Sequence, residues 1–129
     1  MYQITRNHVV EDLQITDNGK VLDLHVDLAV DQILKRYLDA AGAFTRARDE
    51  VSKGLTEERV QKLGETILAL FVVIFGDDQA HKLVDFYGEN YTEMLADVVP
   101  FINDVVAPKV NEAQGRIMAQ YQAAKRLQK

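Results

Sequence analysis

The amino-acid sequence predicts a mainly α fold with a small N-terminal β-hairpin (α+β), built as a helical bundle with a long, proline-bent C-terminal helix. Three observations lead to this prediction. A run of alternating apolar and polar residues surrounds a tight-turn dipeptide near the N-terminus. Apolar residues then recur at steps of three and four through most of the chain, which is the spacing of one helix face. The same phase continues across the two prolines near the C-terminus.

Length and composition favour a single domain, residues 1–129. A chain of 129 residues can bury one real core, and we divide it into a hairpin region, 1–27, and a helical region, 28–129. A hydrophobic content of 47% with 27% charged residues is typical of globular chains. The formal net charge of −5 argues against binding to nucleic-acid phosphates. The lack of cysteine excludes disulfides and thiolate metal sites and fits a reducing cytoplasm.

The hairpin is the clearest local signal. Asn18-Gly19 is the dipeptide preferred in type I′ turns, because both positions tolerate positive φ. Alternation on both sides of the turn gives one apolar face, formed by Leu13, Ile15, Leu22, Leu24 and Val26. An isolated hairpin is only marginally stable, so this face must rest on the helices or pair with another chain. If copies of this chain associate, the hairpin with its unpaired edge is one candidate for the contact, through Leu13, Ile15, Leu22 and Leu24. Residues 1–12 are expected to form an irregular or edge segment.

Capping residues predict where the helices begin and end. The first helix is expected to begin near Asp27 or Leu28, with Asp27 as its N-cap, and to stop at Gly54. Thr56 is the expected N-cap of a second helix that ends at Gly76, and Asp77-Asp78 opens a third that runs to Gly88. The predicted helices therefore follow one another with short connections and no long linker.

The most apolar segment, Ile67–Phe75, is too short to cross a bilayer, which takes about 20 helical residues. Because the segment is apolar nearly all round, it must be covered either by the other helices or by a second protein. We expect no membrane partner for this chain.

The stretch from Tyr87 to Leu127 contains both prolines, Pro100 and Pro108. Separate helices joined by loops would reset the apolar phase at each proline, and the phase is kept. This favours one long bent helix, or helices stacked nearly end to end. The alternative places Pro108 in the first turn of a new helix, where proline is well tolerated.

The residues offer no catalytic chemistry, so we expect a protein that is not an enzyme and has no cofactor or metal. His8, His25 and His81 are far apart and lack metal-ligand spacing. His25 falls on the polar face of the hairpin, where we expect it to be solvated. Phosphate-binding glycine motifs and nucleophile motifs are also missing from the sequence.

Aromatic and methionine side chains between residues 71 and 101 are the best candidates for a protein-binding surface. These residue types are frequent in interface cores, although they also fill the cores of single domains. The candidates are Phe71, Phe75, Tyr87, Tyr91, Met94 and Phe101.

The same part of the chain carries a series of short motifs. They are Phe75-Gly76 followed by acidic residues, Lys82-Leu83, Phe86-Tyr87, Tyr91, Glu93-Met94-Leu95, Val99-Pro100-Phe101-Ile102 and Pro108-Lys109. In this order, over residues 74–113, they resemble the tail assembly chaperones encoded in phages and prophages of Gram-positive bacteria. The first half of the chain resembles that family only loosely, and the motifs are helix-packing motifs.

The resemblance implies a non-enzymatic protein that binds the tape-measure protein of a long-tailed phage in the cytoplasm of the bacterial host and keeps it soluble. It also implies recruitment of tail-tube protein, in many phages through a frameshifted longer form, and absence from the mature virion. Many copies along one tape measure would require a homo-oligomer, and nucleic acid is not an expected partner. Two other classes stay open: a structural tail or head–tail connector subunit, and a small regulatory protein-binding module.

Overall fold

The computed structural model describes residues 1, 7–88 and 90–126, and it confirms the predicted fold class. The elements are β1 (His8–Asp17), β2 (Lys20–Ala29), α1 (Val30–Ser52), α2 (Glu57–Phe75), α3 (Asp77–Phe86), α4 (Tyr91–Phe101), a π-helical segment (Ile102–Val106) and α5 (Ala107–Arg126). Predictions for residues 2–6 and for Leu127 lie outside the described residues. None of the helices within those ranges combines the length and the apolar character that crossing a bilayer requires.

The hairpin is antiparallel and longer than the alternation predicted. Its register runs without a bulge from His8 opposite Ala29 to Asp17 opposite Lys20. The two turn residues have φ of 49° and 82°, which confirms the type I′ turn at Asn18-Gly19. Of the two alternatives for the first twelve residues, the described part is an edge strand, since residues 8–12 belong to β1.

The predicted start of the first helix at Asp27 or Leu28 was wrong. The second strand continues to Ala29, because Leu28 lies in the core and Asp27 stays in the ladder, with its Oδ1 2.8 Å from His8 Nδ1. The helix begins at Val30 without a side-chain N-cap. The boundary between the hairpin region and the helical region therefore lies two residues later than predicted.

The other helix ends follow their local signals. The Thr56 hydroxyl accepts a hydrogen bond from the Arg59 amide at 3.2 Å, as expected of an N-cap. The first helix ends at Ser52, just before Gly54. Gly76 has a φ of 84°, a conformation that glycine adopts at little cost, and it separates α2 from α3.

Residues 91–126 form one uninterrupted helix, as the first of the two interpretations predicted, although the helix begins four residues after Tyr87, the first residue of the predicted stretch. Between the prolines the backbone widens into a π turn, in which the Ala107 amide donates to the Ile102 carbonyl. Pro108 has no amide hydrogen, and in a regular α-helix its ring would press on the carbonyl four residues earlier. The widened turn accommodates the proline without ending the helix, so Pro108 does not open a separate helix.

One cluster of buried side chains draws on the hairpin and on every helix. Ile67, Phe71 and Ile74 of the apolar segment are fully or almost fully buried in it, whereas Leu68 remains exposed. The other elements of this chain therefore cover most of that segment. The hairpin contributes Leu24 and Val26 to the same cluster.

Candidate functional site

The buried face of the C-terminal helix continues beyond the core. Val106, Val110 and Ala113 are buried at helical spacing, and Ile117 is half-buried one turn later. The next position on this face is Tyr121, which is 65% exposed. The apolar stripe that holds the helix in the core thus runs on into solvent.

The C-terminal helix is covered by other elements only as far as it lies against α1. Near its start it lies against the second half of α1, since Ile102 and Phe44 line the same small cavity of about 210 Å³. Near its end it reaches the start of α1, because Arg116 binds Asn7 and Asn7 binds Asp31. The two helices therefore run in opposite directions, and α5 passes the beginning of α1 after Arg116.

Beyond that point the helix is open to solvent. Every side chain from Met118 to Lys125 is exposed, a length of about 12 Å at 1.5 Å per residue. Met118 is 51% exposed and lies beside Tyr121 on the helix surface. We call Ile117, Met118 and Tyr121 the distal face. A large aromatic ring and a methionine on one exposed helix face are typical of surfaces that bind other proteins.

Three of the residues predicted to bind a partner are core residues in the structure. Phe71, Phe75 and Met94 are all nearly inaccessible to solvent. Phe71 and Phe75 meet edge to face with ring centroids 5.9 Å apart. A partner can reach these side chains only if the helices separate, so they support the fold in this conformation.

The other three candidates lie nearer the surface. Phe101 is half-buried and stacks on Phe75 at a centroid distance of 6.4 Å, which joins α4 to α2. Tyr91 is 43% exposed at the first position of α4. The Tyr87 hydroxyl donates to Asp97 Oδ2 at 2.8 Å and links the end of α3 to α4. The structure does not bring Tyr91 and the distal face together, since they stand near opposite ends of the same long helix.

The phenol of Tyr87 gives the protein a sensitivity to alkaline pH. Burial, then the hydrogen bond to Asp97 and the charges of Asp97, Glu93 and Asp17, raise the pKa of Tyr87 above its ordinary value near 10. Because the folded state holds this proton more tightly than the unfolded state, the resulting stability is present below pH 10. It is lost as the pH rises from 10 toward the folded-state pKa.

We therefore expect Tyr87→Phe to make the alkaline loss of stability shallower, by up to about 1.4 kcal/mol per pH unit. Tyr37, whose pKa burial also raises, keeps part of the slope in the variant. Urea unfolding followed by circular dichroism from neutral pH to pH 11 measures both slopes. Identical slopes for the variant and the parent would contradict the role assigned to Tyr87.

The residues predicted to mediate self-association divide in the same way. Leu24 is buried in the core, whereas Leu13, Ile15 and Leu22 are half-buried toward the turn end of the hairpin. Leu13 and Leu24 are directly opposite, as are Ile15 and Leu22. The outer half of the apolar face is thus only partly covered within one chain.

The opposite face of the hairpin is exposed and mostly polar, with Val10 and Val21 also on it. His25 Nδ1 lies 2.6 Å from Asp12 Oδ1, and Gln14 donates to Asp23 at 2.9 Å, both across the strands. Within residues 1, 7–88 and 90–126, no three histidine or acidic side chains gather in a way that could hold a metal ion.

Two polar residues organise the fold, and the sequence reasoning missed both. Asn7 is buried and joins β1, α1 and α5. Gln79 of α3 accepts from the backbone amide of His25 and donates to the His25 carbonyl, each at 2.7 Å. Each contact joins segments that are far apart in the chain, so no local sequence pattern predicts it. The exposed side of Met118 also escaped notice, although this residue stands next to the predicted apolar stripe.

Comparison with known proteins returned no match: no protein-family model, no curated protein and no solved structure is significantly similar to this chain.

Proposed function

We propose that this chain is a tail assembly chaperone of a long-tailed phage or prophage. In this proposal it binds the tape-measure protein in the host cytoplasm, keeps it soluble and helps recruit tail-tube subunits, without entering the mature virion. The motif series in residues 74–113 supports the family, and one structural observation supports the mode of binding. That observation is the distal face, where the apolar stripe of α5 leaves the core and stays uncovered.

A tape-measure protein is a long amphipathic helix whose apolar stripe needs cover before the tail tube encloses it. Helical partners are commonly bound through apolar and aromatic anchors repeated at helical spacing. Ile117 and Tyr121 are one turn apart, and Met118 adds an adaptable side chain beside them. A second helix packed along this face would bury all three anchors, which α5 alone leaves wholly or partly in water.

Co-expression with the tape-measure protein encoded beside this chain, followed by size-exclusion chromatography, tests the proposal. We expect a soluble complex, and an insoluble tape measure when it is expressed alone. A tape measure that is soluble by itself and forms no complex would overturn the chaperone function. Recovery of this chain from purified virions by mass spectrometry would favour a structural subunit. Capture of a single host protein from uninfected lysate would favour a regulatory module.

The distal face has its own test. The double variant Met118→Glu/Tyr121→Glu places two charges where the partner stripe should lie, and we expect at least about tenfold weaker binding to the tape measure. Both side chains are exposed, so the free energy of unfolding should change by no more than about 0.5 kcal/mol. Co-expression of the tape measure with differently tagged parent and variant, read as the ratio of the two in the purified complex, measures the binding. Circular dichroism of the free chains measures their stability.

The matched control is Ala119→Glu/Ala123→Glu, which adds the same two charges to the same helix turns on the opposite side. If this control weakens binding as much as the double variant, net charge and not the distal face is responsible. If the double variant binds normally, the tape measure uses another surface, and Tyr91 is then the next residue to change.

A further inference from the structure

The two outer edges of the hairpin differ in their hydrogen bonding. The side chain of Gln79 forms hydrogen bonds with both the backbone amide and the backbone carbonyl of His25. The backbone groups of His25 therefore point away from β1, and α3 covers the outer edge of β2 at this residue. His25 and Asp12 are directly opposite and therefore form a non-hydrogen-bonded pair. Counting in steps of two along β1 identifies the residues whose backbone groups point outward on the other edge. They are His8, Val10, Asp12, Gln14 and Thr16.

Within the part of the chain that the structure describes, this second edge is open along its length. Among the described residues, no hydrogen bond uses the backbone amides or carbonyls of these five residues outside the hairpin. Soluble proteins usually protect a long edge with lysine, proline or a bulge. The strand HVVEDLQITD has no lysine, proline or bulge. Its inward-facing, half-buried charge, Glu11, is paired with Lys109 of α5. A ten-residue strand of this kind is a template for one more strand.

We infer that two copies of this chain pair through β1 in antiparallel orientation, about a two-fold axis at Leu13, to form a four-stranded sheet. The inference rests on the hairpin alone and does not depend on the proposed binding of a tape measure. This register pairs the four outward residues from Val10 to Thr16 with one another and leaves His8 beyond the paired part of the strand. Val10 then pairs with Thr16, and Asp12 pairs with Gln14.

Charge selects the same register. An axis at Asp12 would place two aspartates directly opposite each other, and an axis at Gln14 would oppose Glu11 to Asp17. The axis at Leu13 avoids both repulsions. It also sets the two half-buried Leu13 side chains side by side. A second copy is therefore a better occupant of this edge than an unrelated strand.

Proline substitutions at a directly opposed pair test which edge is used. Gln14→Pro removes an outward amide from β1, and Asp23→Pro removes the matching outward amide from β2. Both variants keep the backbone hydrogen bonds between β1 and β2, and both lose the side-chain hydrogen bond between Gln14 and Asp23. Sedimentation equilibrium of the full chain should show a dimer for the parent and for Asp23→Pro. Gln14→Pro should weaken the dimer about thirtyfold, because each copy loses one intermolecular hydrogen bond.

Cysteine substitution tests the register and does not depend on tolerance of proline. The chain has no cysteine, so a single introduced thiol reports unambiguously. The Cβ atoms of two Leu13→Cys residues would lie about 4.5–5.5 Å apart, near disulfide distance. Those of Ile15→Cys would lie about 13 Å apart, since four residues separate them along the sheet. Mild oxidation should therefore cross-link the first variant and leave the second monomeric on a non-reducing gel.

Three outcomes would overturn the inference. The first is a parent chain that sediments as a monomer across the concentration range. The second is equal cross-linking of Leu13→Cys and Ile15→Cys. The third is a dimer that Asp23→Pro weakens as much as Gln14→Pro. A monomeric parent that still binds a tape measure would leave the proposed function intact, so the two proposals fail separately.

Discussion

Phe71→Ala should lower the free energy of unfolding by about 3–5 kcal/mol. Phe71 is the largest fully buried side chain among residues 7–88 and 90–125, and truncation would leave a cavity next to the ring of Phe75. Urea denaturation followed by circular dichroism measures the loss. A total stability of about 5–15 kcal/mol is usual for a domain, so this variant would be close to unfolding.

Tyr91→Ala is the matched control, because it removes an aromatic ring from an exposed position. Its stability should stay within about 0.5 kcal/mol of the parent. If both variants lost the same stability, the burial that separates Phe71 from Tyr91 would not describe the protein in solution. The comparison also bears on binding studies, since a partner lost with Phe71→Ala would report a damaged core and not a missing contact.

The features that were predicted correctly are the ones that short stretches of chain satisfy by themselves. Asn18-Gly19 supplies both positive φ values of its own turn. Thr56 caps an amide three residues away, and Gly76 ends a helix through its own backbone. In each case the chemistry and its partner lie within one turn of chain, so the sequence pattern contains the whole argument.

The start of the first helix was missed because a distant strand competes for the same residues. Asp27 has the chemistry of an N-cap, yet it lies opposite Val10 in the ladder and close to His8. Leu28 has the spacing of a helix, yet it enters the core as a strand residue. Pairing with β1 outweighs the local preference, and a window of sequence contains no sign of that partner.

The candidate binding residues show a second limit. Periodicity identifies which side chains share a face, but it does not say whether that face meets its own chain or a partner. Phe71, Phe75 and Met94 are buried in the core, whereas Tyr121, which follows a similar helical spacing, is exposed to solvent. The difference is set by where α1 begins relative to the end of α5, which only the folded arrangement determines.

Asn7→Ala should lower the free energy of unfolding by about 1–3 kcal/mol, although the change removes only a small polar group. Asn7 is 8% exposed, and its side chain accepts from Arg116 Nε at 3.0 Å and donates to Asp31 Oδ1 at 3.3 Å. Its backbone carbonyl accepts from the Val30 amide, a bond that alanine keeps. The loss therefore measures the side-chain bonds that tie α5 to the start of α1.

A double-mutant cycle with Arg116→Ala separates this tie from other effects. Arg116 also pairs with Glu112 within its own helix at 3.2 Å, a contact that Asn7→Ala leaves in place. If Asn7 and Arg116 act on each other, the double variant should lose less stability than the sum of the single variants, by more than about 0.5 kcal/mol. Additive losses would show that they stabilise the fold independently.

Asn7→Ala should also affect binding at the distal face. Without the Asn7 side chain, backbone amides of α5 near Arg116 should exchange hydrogen faster than in the parent, because this end opens locally. Amides around buried Phe71 should change their exchange rate only as far as the global free energy of unfolding changes. Because Asn7 fixes where α5 leaves the core, the helix end that carries Met118 and Tyr121 would be held less rigidly. Binding of a helical partner should then weaken without the loss of any direct contact, since the partner must order that end as it binds.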